Sequence, residues 1–399
     1  MLMSYREDNY ENSIIQLFEE MGYTHICGYD VSRDYQCPLY MDELQNALYR
    51  LNPNLPEIAL REAMEKITHF ENGETVQKNE LFTDYLQNGI DISYTHNGQQ
   101  KSAVCYLADF EHTDNNSFII ANQWTFVENE EKRPDLLVFF NGIPVVLMEL
   151  KSPSRQETDV SEAYAQIRNY THAIPSMFIY NQICVMSDMA ISKAGTLTSS
   201  EDRYMEWKSK DGNYDNTVYN GFDTFFEGIF EKSRFLDILQ NFILFSNDGI
   251  NRIKILAGYH QYFAVCKAIT STEKAVGTDG KGGVFWHTQG SGKSLSMVFY
   301  AHLLQKTLNA PTIVVITDRN DLDDQLFRQF ARCRAFLRQD PVQAKSRQHL
   351  KDLLSTRKAN GIFFTTMQKF EESAEPLSER KNIVVMTDEA HRGQMEATE

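Results

Sequence analysis

Asp135, Glu149 and Lys151 have the types and spacing needed to hold and use a divalent cation. Pro134-Asp135 is followed, after thirteen intervening residues, by Glu149-Leu150-Lys151. Two carboxylates on neighbouring strands hold Mg2+, and a lysine two residues along projects to the same face, where it orients or deprotonates an attacking water. A second chemistry is written in Thr288-Gln289-Gly290-Ser291-Gly292-Lys293-Ser294. Its glycines turn backbone N–H groups onto phosphate oxygens, Lys293 reaches the β- and γ-phosphates of a nucleotide, and the Ser294 hydroxyl ligates Mg2+. Asp388-Glu389-Ala390-His391, a DEAH box, lies 95 residues beyond Lys293. Asp388 ends an apolar strand and serves the nucleotide's Mg2+ through water, while Glu389 polarises the attacking water.

Each signature also has a purely structural reading. Acids and lysines at strand ends are commonly solvated, and a Gly-rich turn can join strand to helix without a ligand. Acids at a helix start favour the helix dipole. Two features favour chemistry for the first group. Charge is unexpected at the end of Ile143-Pro144-Val145-Val146-Leu147-Met148, and Gln166 and Tyr170, spaced i, i+4, share one face of the next helix. For the second, the phosphate loop and the acidic box fall on one sheet. Glu11 could face the same cleft as Asp135 and Glu149, although an exposed helix acid is the default reading.

These residues need particular elements to position them. Residues 135–150 read as a β-hairpin turning at Asn141-Gly142. A strict two-residue turn pairs Asp135 with Met148 and sends it to the face opposite Glu149. Convergence therefore requires an odd-numbered connection or a bulge. Helical spacing is expected over 11–21 and 159–174, a polar loop over 208–222, and a helix over 235–245. Residues 35–110 mix short periodic segments with polar loops and give no clear assignment. Ser246-Asn247-Asp248-Gly249 marks a boundary, dividing the chain into 1–248 and 249–399. Beyond it, four apolar runs (283–287, 312–317, 361–366 and 382–387) alternate with helical segments, which indicates a parallel sheet covered on both faces.

The net charge of −16 speaks against a surface that coats polyanions generally, but leaves room for a local basic groove. The six cysteines are scattered without a CxxC pair, so neither a disulfide framework nor a zinc site is expected. No apolar stretch approaches the ~18 residues that span a bilayer. A soluble cytoplasmic protein, with no membrane partner, is the expectation.

Motif order carries more information than any single motif. Gln261, the phosphate loop, Thr317-Asp318-Arg319, Thr365-Thr366-Met367-Gln368 and the acidic box resemble motifs Q, I, Ia, Ib and II of superfamily 2 helicases. The resemblance implies that Gln261 reads adenine and that 317–319 and 365–368 touch the nucleic-acid backbone. The next motif and the second RecA-like lobe, with its arginine fingers, are absent from this chain.

Pro134-Asp135 with Glu149-x-Lys151 matches the PD-(D/E)xK pattern of metal-dependent nucleases. Together with Gln166-x3-Tyr170 ahead of a helicase lobe, it resembles the restriction (R) subunit of type I restriction-modification enzymes. His287 before the phosphate loop, Thr317 to Gln325, and Arg203-Tyr204…Trp207-Lys208 look like that family's variants. The similarity runs from about Glu11 to Glu399 and covers the family's N-terminal portion. It implies a PD-(D/E)xK nuclease domain, a mixed sheet flanked by helices, over 1–248. An incomplete RecA-like parallel-sheet lobe follows over 249–399. It further implies an ATP-dependent type I site-specific deoxyribonuclease, in which Mg2+-dependent cleavage of double-stranded DNA is coupled to ATP-driven translocation. Gln166 and Tyr170 would support the site and the DNA. The implied partners are modification (methyltransferase) and specificity subunits, and the implied cofactors are ATP and Mg2+. The alternatives are another defence helicase-nuclease of type III-like order and a non-catalytic DNA-binding remnant. The order of motifs argues against the first, and the intact site residues argue against the second.

Overall fold

The computed structural model describes residues 7–96, 98–151, 160–188, 190–213, 221–288, 290–317, 320–367 and 376–388. The chain separates into two compact units, one of residues 1–243 and 252–259, the other of 244–251 and 260–399.

The first unit opens with α1 (Glu7–Glu20) and β1 (Thr24–Cys27). The stretch that sequence patterning left unassigned holds α2 (Met41–Leu51), α3 (Glu57–Thr68), α4 (Thr75–Asn88) and an antiparallel pair, β2 (Ile90–His96) and β3 (Gln99–Cys105). The strands β4 (Phe118–Asn122), β5 (Phe126–Val127), β6 (Glu131–Lys132), β7 (Leu136–Phe140) and β8 (Ile143–Leu150) follow. Next come α5 (Val160–Ala173), β9 (Ile183–Ser187), β10 (Ser192–Gly195), α6 (Phe222–Phe230) and α7 (Lys232–Asn241). Six strands form a mixed sheet in the order β1-β4-β7-β8-β9-β10. The β1–β4 and β8–β9 pairs are parallel, and β4–β7, β7–β8 and β9–β10 are antiparallel. Every residue of β7 and β8 is buried, which explains their continuous apolar runs.

The expected helix over 235–245 is divided. α7 stops at Asn241, and Ile243–Asn247 forms β11 instead, because Ile243, Leu244 and Phe245 are buried as a short β-compatible run. β12 (Arg252–Leu256) comes next.

The second unit contains α8 (Tyr259–Val276) from His260 onward, α9 (Lys293–Thr307), β13 (Thr312–Thr317), α10 (Asn320–Arg332) and α11 (Arg334–Leu337). It continues through β14 (Val342–Gln343), α12 (Arg347–Thr356), β15 (Ile362–Thr366) and β16 (Ile383–Thr387). The sheet is parallel, in the order β14-β15-β13-β16. Three of the four expected strands are therefore present. The fourth, 283–287, is not a strand: Val284 is 93% exposed and Trp286 79% exposed. An apolar run becomes a strand only when a sheet edge pairs with it, and 283–287 is unpaired. β16, at the sheet's edge, is itself poorly covered, with Val385 exposed.

Candidate active site

The β7–β8 hairpin sets the first site. Asn141 and Gly142 both have positive φ, at 51° and 78°, as a two-residue type I′ turn requires. Phe140 pairs with Ile143 and Phe139 with Pro144, but Val138 pairs with Val146. Val145 is thus an extra residue in β8, a bulge beside a proline that has no N–H for the ladder. Its carbonyl accepts from the Gln182 N–H at 2.7 Å instead. Leu136 then faces Met148, and one step outward Asp135 stands opposite Glu149. The bulge reverses the parity of the tight turn and brings both carboxylates to one face.

The side chains converge accordingly. Asp135 Oδ2 accepts the Leu150 N–H at 2.7 Å. Glu149, only 4% exposed, receives the Lys151 ammonium on Oε1 at 2.6 Å and the Tyr170 hydroxyl on Oε2 at 3.0 Å. On α5, Tyr170 packs toward the sheet with Ala163 and Ile167, and the Gln166 side chain hydrogen-bonds its hydroxyl. Burial, with the Glu149 charge next, raises the Tyr170 pKa, so the phenol stays protonated and donates. Asp135, Glu149, Lys151, Gln166 and Tyr170 form one connected group.

Glu11 departs from the expected exposed acid. It is half-buried, and its Oε1 accepts from Asn122 Nδ2 at 2.7 Å, with His25 on Asn122 Oδ1 at 3.0 Å. Asn122 pairs with Leu136, so this contact lies next to Asp135 along the sheet's end. Among the described residues no cluster of three or more His, Cys, Asp and Glu side chains is arranged as a metal site. Two hard carboxylates suit an ion that keeps much of its shell as water and phosphate oxygen, as Mg2+ does, and do not suit Zn2+.

In the second unit, Gly290 and Gly292 have φ of 85° and 81°, and Gly292 caps α9. The Ser291 hydroxyl donates to Thr288 O at 2.8 Å, which closes the loop on itself. Two side chains of α8 hold the loop's carbonyls: His260 Nε2 lies 3.0 Å from Ser291 O, and Gln261 Nε2 donates to Gly292 O at 3.1 Å. Gln261 is thus a buried brace of the loop. Lys293 begins α9, with Ser294 exposed beside it. Burial lowers the His287 pKa, and His260 and Lys293 add to the effect, so its ring is neutral beside Lys293. Asp388 follows β16, its N–H donating to Ile316 O at 2.9 Å. Glu389 and Gln289 lie outside the described residues, as do Asp318, Arg319 and Gln368. Thr317, Thr365 and Thr366 are buried at the strand ends, with hydroxyls that have no partner among the described residues.

Residues 4–203 match the family described as type I restriction enzyme R protein N terminus. The chain belongs to that family. Residues 260–399 match the SWI2/SNF2 ATPase family. Among curated relatives of this type I restriction family, the chain is 38% identical to the type I restriction enzyme HindI endonuclease subunit of Haemophilus influenzae. That alignment covers 97% of the chain and 39% of the relative. A putative type I restriction enzyme MjaIXP endonuclease subunit from Methanocaldococcus jannaschii is 32% identical over 96% of the chain and 39% of its own length. The chain therefore spans about two fifths of these relatives.

Sequence reasoning missed several supports of the site. Asn122 gave only the weak signal of a polar residue closing Phe118-Ile119-Ile120-Ala121. Lys254 gave none: it is 1% exposed, and its ammonium donates to Asn79 Oδ1 at 2.9 Å, Asn181 O at 2.8 Å and Gln182 Oε1 at 2.7 Å. It ties β12 to α4 and to the start of β9.

Proposed function

We propose that the first unit is a PD-(D/E)xK endonuclease domain that cuts double-stranded DNA with Mg2+. The observation that carries this reading is the Val145 bulge, which places Asp135 and Glu149 on one face with Lys151 and Tyr170 bonded to Glu149. Asp135 and Glu149 would hold the ion, which supplies Lewis acidity at the scissile phosphate and acidifies a bound water. Lys151 would orient and activate the attacking water, taking its proton only after giving up its own. Tyr170, kept protonated, fixes the Glu149 rotamer, and Gln166 fixes the Tyr170 hydroxyl.

The second unit is read as a RecA-like lobe in which Thr288, Gly290, Ser291, Gly292 and Lys293 cradle the phosphates of ATP. Ser294 and Asp388 would serve its Mg2+, and Glu389 its attacking water. Gln261 would contact adenine after releasing Gly292. In an assembled enzyme of this family, ATP hydrolysis would move DNA, and modification and specificity subunits would read its sequence, in the cytoplasm.

The test is nicking of a supercoiled plasmid by the chain with Mg2+ or Mn2+. Lys151→Met is expected to lower the rate by at least ~10²-fold, the scale of lost proton transfer. Parent-level nicking by Lys151→Met would remove the assignment.

A further inference from the structure

The end of the six-stranded sheet that carries Asp135 and Glu149 continues outward along β4 and β1. Cys27 ends β1 opposite Asn122, which in turn pairs with Leu136, the residue after Asp135. The Gly28 N–H donates to Asn122 O at 2.8 Å, and a Cβ at Gly28 would come within 2.4 Å of Gln123 O. A glycine is needed there to let the chain pass closely over β4. Tyr29 emerges from this turn at the same sheet end as the carboxylates, 60% exposed.

The Tyr29 hydroxyl is bonded by the Arg133 guanidinium, which also lies 5.9 Å from the Tyr29 ring centroid. Arg133 is exposed and stands two residues before Asp135. Its neighbour Lys132 is neutralised by Glu130 at 2.6 Å, whereas among the described residues no carboxylate pairs with Arg133. One guanidinium N–H is spent on tyrosine, and the remaining fork suits a tetrahedral oxyanion. In a chain of net charge −16, this cation is both exposed and beside the candidate nuclease site.

We propose that Tyr29 and Arg133 form a clamp for a DNA backbone phosphate, flanking the phosphodiester presented to Asp135 and Glu149. This rests on the nuclease reading above. Two strand spacings, about 10 Å, separate β1 from β7. The clamped phosphate therefore lies a few nucleotides from the scissile one, given a rise of about 3.4 Å per nucleotide. The pair sets the register of the strand and carries no sequence preference, as phosphate contacts do.

The experiment is fluorescence anisotropy of the full chain with a labelled short duplex, in EDTA so that cleavage is off, across a salt series. Arg133→Gln is expected to weaken binding about fivefold at low salt, equally for unrelated sequences, and to reduce the slope of log K against log salt by about 0.9. Arg133→Lys retains most of the slope, and Tyr29→Phe weakens binding about twofold. Affinity and slope equal to the parent in Arg133→Gln, with a parent that nicks plasmid, would overturn the clamp alone. A parent that never nicks, with the slope still lowered by Arg133→Gln, would instead remove the nuclease reading.

Discussion

Glu149 and Lys293 are the central charges of the two candidate sites, and they are held in different ways. Glu149 lies in a strand paired on both sides, 4% exposed, with both oxygens bonded. Lys293 opens a helix whose lead-in, 283–288, is irregular and exposed. A site built inside one sheet is positioned by register, because a one-residue slip would turn every side chain over. A site at a helix entrance depends on the segment before it, and here α8 supplies the bracing through His260 and Gln261.

This contrast predicts the largest effect at the hairpin. Gly142 has φ of 78°, and an added Cβ would sit 2.3 Å from Leu44 N and 2.7 Å from Tyr40 O, both backbone atoms. Gly142→Ala is expected to destabilise the first unit by about 3 kcal/mol or more, measured by denaturant unfolding. A loss under ~1 kcal/mol would mean that the turn does not fix the register.

Lys293→Ala probes the site at the helix entrance. It should weaken binding of a non-hydrolysable ATP analogue by about 1.5–3 kcal/mol in calorimetry, the worth of a charge-assisted contact. Equal affinity would show that the exposed loop does not present Lys293 to phosphate.

The smallest predicted effect, read over a single pH unit, concerns α9, whose core face is well packed although its lead-in is not. His302 stacks on Phe336 at 4.0 Å between ring centroids, and burial pushes its pKa down to about 3. The folded pKa lies below the ordinary value of about 6.5. The stability it contributes is therefore fully present above that value and is lost as pH falls toward 3. The expected loss is about 1.4 kcal/mol per pH unit across that window. His302→Phe should make the acid limb of the second unit's stability shallower by one proton. An unchanged limb would contradict the burial.

The first site was legible because its chemistry is local: a hairpin and one helix face contain Asp135, Glu149, Lys151, Gln166 and Tyr170. Even the need for a bulge followed from side-chain parity, although its position at Val145 did not, since Pro144 alone does not specify which neighbour is extra. Strands β13, β15 and β16 were legible as apolar runs. The 283–287 run looked the same and is not a strand, because pairing is a property of the sheet and not of the run. The helical residues 41–88 were hidden by short periods, and Lys254 by its distance in sequence from Asn79 and Asn181. Nothing local announces a contact that joins residues so far apart.

The most direct measurement is the thermal unfolding of the chain with and without Mg2+ or Mn2+, comparing the parent with Lys151→Met and with Asp135→Ala combined with Glu149→Ala. At tenfold excess over Kd, an ion bound only to the folded state adds about 1.4 kcal/mol, or roughly 3–6 °C in Tm. The parent and Lys151→Met should both show this shift, and the double variant should not. A shift that survives loss of both carboxylates would place the ion elsewhere and leave Asp135 and Glu149 as ordinary residues at a strand end.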